Sequence, residues 1–257
     1  MTFLRKLLNL TFAASLLILL PQCSSDDPEP GGNGSNNLNI GAVGSSANDL
    51  LSSANYTNIQ VEIQYAAGFA PPQGSIDYLR TFLNSRLNKP GGIIITTNQV
   101  DAPGQASYSL SDIRGIEDES RTQFTDGNTI AVYFYFADGS YSENENVLGI
   151  AHRNTSMVLF QSRIEELSGS PGQISTQMMT STVLAHEFAH ILGLVNIGTS
   201  MQTAHEDSAN EHHCDNENCL MYYAVESAAG LNDLFGMSSP PDLDANCLND
   251  LAANGGK

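Results

Sequence analysis

The 257-residue sequence has few charged side chains, and few of those are basic. Charged residues make up 15% of the chain, and 10 Lys and Arg stand against 28 Asp and Glu, which gives a formal net charge of −18. A chain this acidic is repelled by the phosphates of nucleic acids and by anionic lipid head groups. The shortage of positive charge therefore excludes nucleic-acid binding. Hydrophobic residues amount to 41%, which is enough to bury a core.

The N-terminal apolar run is too short to cross a membrane. Arg5 and Lys6 precede residues 7–20, which are apolar apart from three polar side chains. A membrane-spanning helix needs about 20 apolar residues, whereas a short basic segment followed by a shorter run is typical of a signal peptide. Cys23 follows at once, and the sequence Leu-Pro-Gln-Cys resembles a bacterial lipoprotein signal. An ordinary cleaved signal with an incidental Cys is the alternative.

The lipoprotein resemblance implies an envelope protein held to the membrane by a lipid on Cys23. We expect a signal peptide over residues 1–22, a lipid-anchored flexible tether over 23–37 and one domain over 38–257. Residues 28–37 are rich in Pro, Gly and Asn, which suits a tether. The run 24–27 (SSDD) resembles surface-export signals of some Gram-negative lipoproteins, although a solvated spacer explains it equally well. The predicted location is the outer membrane or cell surface of a Gram-negative bacterium.

Apolar patterns along residues 38–257 predict an α+β domain with a twisted, largely mixed sheet. Residues 129–136 (TIAVYFYF) are rich in β-branched and aromatic side chains and predict the strongest strand. Ser111 is a candidate helix cap. Other strands are expected at 59–65, at 93–95 (short and buried) and within 148–160, and helices at 76–87, 111–121 and 175–194.

The motif with the clearest chemistry is His186-Glu187-Phe188-Ala189-His190, in an apolar, helical stretch. His186 and His190 are one helical turn apart, so their rings point the same way and can take two corners of a zinc tetrahedron. Zinc lowers the pKa of a bound water to roughly 7. Glu187 can then take a proton from this water as it attacks a carbonyl. The sequence therefore predicts a zinc-dependent hydrolase.

With Gly193, the motif becomes HExxHxxG and resembles the metzincin clan of metallopeptidases. The usual third-ligand position is Asn196, a poor zinc ligand. Further on, the string His213-Cys214-x4-Cys219-x-Met221 resembles the archaemetzincin arrangement, in which the third zinc His directly precedes the first Cys and the Met forms a turn. The resemblance implies a metzincin-like fold with an insertion over residues 195–212.

The resemblance also implies the site. We predict Glu187 as the catalytic residue and His186, His190 and His213 as zinc ligands, with His205 as the alternative third ligand. His212 is expected to be exposed. Tyr223 is a hypothetical contact of the metal or the oxyanion.

The implied activity is that of a zinc endopeptidase, with a peptide or protein as its substrate. In the clan the edge strand ahead of the helix pairs with an extended peptide, and residues 154–160 are the candidate. A non-catalytic surface binding protein on the same scaffold, and a zinc hydrolase of a non-peptide amide, remain alternatives.

Cysteine is scarce, with Cys214, Cys219 and Cys247 following Cys23. Archaemetzincins bind a second zinc ion through four Cys, the last two in a CxxC, but here Asp250 takes the final position. A Cys3Asp zinc site is chemically allowed. A disulfide between Cys214 and Cys219, with Cys247 unpaired, is equally compatible with an oxidising compartment. The sequence alone does not decide on a second metal.

Overall fold

A five-stranded sheet in the order β2-β1-β4-β7-β6 forms the centre of the fold, and only β6 runs antiparallel to its neighbour. This computed structural model describes residues 36–227 and 237–257. The predicted signal peptide, Cys23 and most of the predicted tether lie outside the described residues. Among those described, no helix is long and apolar enough to span a membrane.

Strands and helices are intermixed along the chain. The strands are β1 (Asn58–Ala66), β2 (Gly92–Val100), β3 (Ser107–Tyr108), β4 (Thr129–Phe136), β5 (Ser140–Tyr141), β6 (Gly149–Arg153) and β7 (Ser156–Leu159). The helices are α1 (Ala47–Leu51), α2 (Gln73–Arg86), α3 (Leu110–Ser120), α4 (Gln161–Glu166), α5 (Thr176–Ile191) and α6 (Ala245–Ala253). Short 3-10 helices span Asn36–Asn39 and Tyr223–Glu226, and β3 and β5 form a separate two-stranded ribbon.

Strand β4 is buried on both faces of the sheet, which explains its continuous apolar sequence. Side chains alternate between the faces of a strand. Phe134 packs on the side of α2 and α5, with its ring centroid 6.0 Å from that of Phe188. Tyr133 and Tyr135 join the opposite core, to which α3 contributes Ile113. The predicted mixed sheet and the strand at 129–136 are thus confirmed.

Two local predictions were wrong. Strand β2 is nine residues long and lies at a sheet edge, largely exposed, rather than being short and buried, and Ile94 is 57% exposed. Helix α3 is capped by Ser109 and not by Ser111. The Ser109 side chain accepts a hydrogen bond from the Asp112 N–H, and the Asp112 carboxylate accepts one from the Ser109 N–H. This reciprocal capping box begins the helix earlier than expected.

The prediction for the edge strand also needs correction. Residues 154–160 contain β7, which lies between β4 and β6 and cannot pair with a peptide. The edge strand on this side of the sheet is β6, which pairs antiparallel with β7 through the register Ile150↔Val158. The chain reverses tightly between Arg153 and Ser156, so the segment 148–160 forms two strands and not one.

Candidate metal centre

Helix α5 carries the first half of the predicted centre. The Ser175 side chain caps it by accepting a hydrogen bond from the Met178 N–H at 3.2 Å, which satisfies one of the free donors at the helix start. Its buried residues run without interruption from Met179 to Ile191. The helix therefore passes through the core as a fixed support, with both His of the motif inside the protein.

His186 and His190 converge as their spacing predicted. Their Nε2 atoms lie 3.1 Å apart, and the ring planes are nearly perpendicular. A tetrahedral zinc site with Zn–N bonds of about 2.0 Å has N···N edges of about 3.3 Å. Two corners of such a site are thus already in place, and His186 and His190 are only 0% and 8% exposed.

His213 completes the group from a distant part of the chain. Its ring centroid lies 5.4 Å from that of His186 and 5.1 Å from that of His190. One ligand nitrogen from each of the three rings lies within 4.8 Å of the other two. The Nδ1 atom of His213 is 2.9 Å from the Glu211 carbonyl oxygen, which leaves Nε2 as the metal-binding nitrogen. The structure thus brings together all three predicted ligands.

The predicted Met turn is tied directly to the first ligand. The Nδ1 atom of His186 lies 2.7 Å from the carbonyl oxygen of Leu220, the residue before Met221. A hydrogen bond of this kind fixes the tautomer and directs Nε2 towards a metal. Met221 is fully buried, and its carbonyl oxygen accepts a 2.7 Å hydrogen bond from the Cys214 N–H, next to His213. The turn thereby links two predicted ligands that lie far apart in the sequence.

Glu187 is fully buried between α5 and the edge strand. A Cβ atom added to Gly149, the first residue of β6, would lie 2.7 Å from both the Cγ and the Oε1 atoms of Glu187. It would also lie 2.8 Å from Val183. Only glycine therefore allows β6 to approach the Glu187 carboxylate this closely. This dependence on Gly149 was not foreseen from the sequence.

Gly193 ends the active-site helix in the way the motif predicted. Its φ is +76°, and a Cβ there would meet the Thr199 nitrogen at 2.6 Å. The chain then turns away, and Asn196 adopts a left-handed φ of +67°. Asn196 occupies the usual third-ligand position, but the third ring of the group comes from His213. The insertion returns the chain to the site at His213 instead.

The other His of the insertion are not part of this centre. His205 is buried in a separate cluster, where its Nε2 lies 2.8 Å from an Asp250 oxygen. His212 is partly exposed, with 44% of its side chain accessible. Tyr223 is 37% exposed and packs against Tyr222, and its proposed contact with a metal or oxyanion stays a prediction.

The three Cys form that separate cluster together with His205. All three are buried and unoxidised, so the structure does not contain the considered Cys214–Cys219 disulfide. Hydrogen bonds from Cys214 and Cys247 lower the pKa of Cys219, whereas the pKa values of Cys214 and Cys247 are raised. Burial lowers the pKa of His205, but hydrogen bonds to Asp250 and Cys214 outweigh it, so the net shift is upward.

Comparison with solved structures identifies the fold. The chain is similar to an archaemetzincin from Methanopyrus kandleri, with a TM-score of 0.53, 14% identity and coverage of 77% of this chain and 96% of that one. The fold is metzincin-like. A second similar structure is metalloproteinase-II from Bacteroides fragilis, with a TM-score of 0.44 and 16% identity. This match covers 79% of this chain and 54% of that one. No protein-family model matches the sequence, and the search of curated proteins found no match.

The metzincin-like fold and the three-His group support one another. Three imidazoles leave the fourth position of a zinc tetrahedron open, which distinguishes a catalytic from a structural zinc site. Imidazole nitrogen is a ligand that zinc readily accepts, and the His186 tautomer is already set by Leu220. The residues present therefore fit a zinc ion.

Proposed function

We propose that this protein is a zinc-dependent peptidase in which His186, His190 and His213 hold the metal and Glu187 is the catalytic residue. The observation that carries the proposal is the convergence of the three rings next to a buried Glu on the same helix. A purely structural zinc site has no use for that carboxylate. The metzincin-like fold adds support, because a solved structure with this fold is an archaemetzincin.

Glu187 has the proton-transfer role in the proposed reaction. A bound zinc ion would supply Lewis acidity, polarising the substrate carbonyl and making water more acidic. Glu187 takes one proton from the attacking water while the water oxygen bonds to the carbonyl carbon. The same carboxyl group then delivers that proton to the nitrogen as the C–N bond breaks. The products are a free carboxyl group and a free amine.

The open edge of β6 supports a peptide as the substrate. The Phe160 N–H donates to the Leu148 carbonyl at 2.9 Å, so Leu148 and Ile150 direct their backbone groups towards β7. By alternation, Gly149 and Ala151 direct their N–H and C=O groups outward. Within the described residues, no strand pairs with that outer side of β6, and Val147, two residues before β6, forms an isolated antiparallel bridge with Ser227. An extended peptide added there would run beside Gly149, directly above Glu187.

Removal of the metal provides the direct test. The full chain, purified in detergent, is expected to contain zinc and to cleave members of a random peptide library. A zinc chelator should abolish cleavage, and added zinc should restore it. Zinc without cleavage of any peptide would instead favour a binding protein on this scaffold. Cleavage of non-peptide amides, without cleavage of peptides, would favour a zinc hydrolase of a non-peptide amide.

We also propose that the protein is a lipoprotein of the outer membrane or cell surface, anchored through Cys23. The signal-like segment and the Pro/Gly-rich run after Cys23 support this. Cys23→Ser is expected to move the protein from the membrane fraction to the soluble fraction, because one residue carries all the lipid. Mass spectrometry of the N-terminal peptide should show acyl chains on Cys23. An unmodified N-terminus beginning elsewhere would contradict the proposal.

A further inference from the structure

The outer edge of strand β2 lacks the features that usually protect an exposed edge strand. Charged side chains, Pro, bulges and short length commonly prevent such an edge from pairing with another chain. Strand β2 has the sequence GIIITTNQV, without charge or Pro, and pairs with β1 in an unbroken parallel register over nine residues. Strand β6, at the opposite edge, is five residues long, has a register shift and ends at Arg153. In a chain with a net charge of −18, an uncharged edge is where a second chain meets the least repulsion.

Four residues of β2 direct their backbone groups away from the sheet. The Ile93 carbonyl accepts a 3.1 Å hydrogen bond from the Arg80 side chain on α2, so it faces away from β1. By alternation, Ile95, Thr97 and Gln99 also direct their N–H and C=O groups outward. Among the described residues, no strand pairs with this side of β2. The edge therefore presents a row of donors and acceptors to another strand.

This row is complementary to a second copy of itself. In antiparallel pairing about a two-fold axis at Thr96, Ile95 lies opposite Thr97 of the second copy, and Ile93 lies opposite Gln99. All four outward residues of each copy then form hydrogen-bonded pairs. The two Thr96 side chains lie opposite one another, and Thr–Thr pairs stabilise neighbouring strands. A register shifted by two residues would leave one outward residue of each copy unpaired.

The same register brings opposite charges together. Arg80 is exposed and lies at Ile93, near the start of β2, whereas Asp101 is exposed and directly follows the end of the strand. Antiparallel pairing places the start of one strand beside the end of the other. Asp101 of the second copy therefore lies near Arg80, and the two-fold axis produces this ion pair twice.

We propose that the protein forms a symmetric dimer by antiparallel pairing of β2 with β2 of a second copy. Ile94 is 57% exposed, more than any other large apolar side chain of the described residues, and it packs diagonally against Val100 of the second copy. Two five-stranded sheets become one of ten strands. Because β6 lies at the other edge of each sheet, the dimer leaves the strand beside Glu187 uncovered. The inference does not depend on the proposed peptidase activity.

Disulfide trapping of Thr96→Cys in the full chain tests both the dimer and its register. Opposite residues of a non-hydrogen-bonded antiparallel pair have Cα atoms about 4.5 Å apart, a separation that a disulfide can bridge. Mild oxidation in detergent should therefore give a disulfide-linked dimer on a non-reducing gel. Thr97→Cys is the matched control, because it is equally exposed but would lie more than about 7 Å from its counterpart, too far for a disulfide. The wild type reports on the chain's own cysteines.

Charge reversal tests the pairing without a new thiol. Arg80→Glu and Asp101→Arg should each raise the Kd of the dimer by roughly 2- to 30-fold, since the ion pair occurs twice and each exposed pair contributes little. The double variant should restore the wild-type Kd. Glu166→Arg, on exposed α4, changes the net charge as much as Asp101→Arg does and should leave the Kd unchanged. Sedimentation equilibrium of the full chain measures these values.

Four results would overturn the dimer or its register. One is a wild-type protein that sediments as a monomer at every concentration tested. Another is a Thr96→Cys protein that cross-links no faster than Thr97→Cys. The third is a double charge variant that stays as weak as the single ones. The last is a monomer whose Thr96→Cys thiol resists alkylation, which would mean that another segment of the same chain covers the edge. A failed peptidase assay would leave the dimer standing, and a monomer would leave the proposed peptidase standing.

Discussion

Glu187→Gln is expected to lower kcat by at least about 100-fold while leaving the zinc content unchanged. Gln has nearly the shape of Glu, so it fills the space next to Gly149 without forcing β6 away. It cannot take a proton from the attacking water or return one to the leaving nitrogen. The loss should therefore fall on kcat, with a smaller effect on KM. Steady-state kinetics on a cleaved peptide, with metal analysis of the same preparation, checks this.

Glu166→Gln is the matched control for that experiment. Glu166 is an exposed carboxylate on α4, with 64% of its side chain accessible and an ion pair to Arg163. Exposed pairs of this kind contribute about 1 kcal/mol or less to stability, so its removal should leave kcat unchanged. If Glu187→Gln retains wild-type kcat, the proposed proton-transfer role is wrong, however well zinc is bound.

Local sequence patterns were sufficient for the helix that carries the chemistry. His186 and His190 face the same way because the helical period places residues four apart on one side, and the structure shows their Nε2 atoms 3.1 Å apart. Strand β4 was equally predictable, since a run of β-branched and aromatic residues has few alternatives to a buried strand. Both features depend only on neighbours in the sequence.

Features that depend on distant contacts were harder to predict. The chain reverses direction between β6 and β7. This reversal makes β6, and not β7, the edge strand of the sheet. Gly149 gave no sequence signal, because its role depends on a side chain 38 positions away in α5. The pairing of His205 with Asp250 spans 45 residues. Asp250 follows Cys247 by three residues, so the two lie on one face of α6. This spacing was the available clue that Asp250 lies near the cysteines.

His213→Ala is expected to remove the catalytic zinc. Two imidazoles on one helix turn would remain, and loss of a direct ligand should exceed the roughly 10- to 100-fold loss of affinity that follows removal of an outer partner. Competition with a chromogenic zinc chelator measures this affinity.

Neighbouring His substitutions separate the ligand from its surroundings. His212→Ala changes the adjacent residue, whose ring is partly exposed, and should leave the zinc affinity as in the wild type. His205→Ala removes a buried ring outside the three-His group and should affect the catalytic ion only through the loop that presents His213. If His205→Ala instead strips the catalytic ion while His213→Ala spares it, the third ligand is His205. The insertion would then deliver a different side chain to the site than the one the geometry brings there.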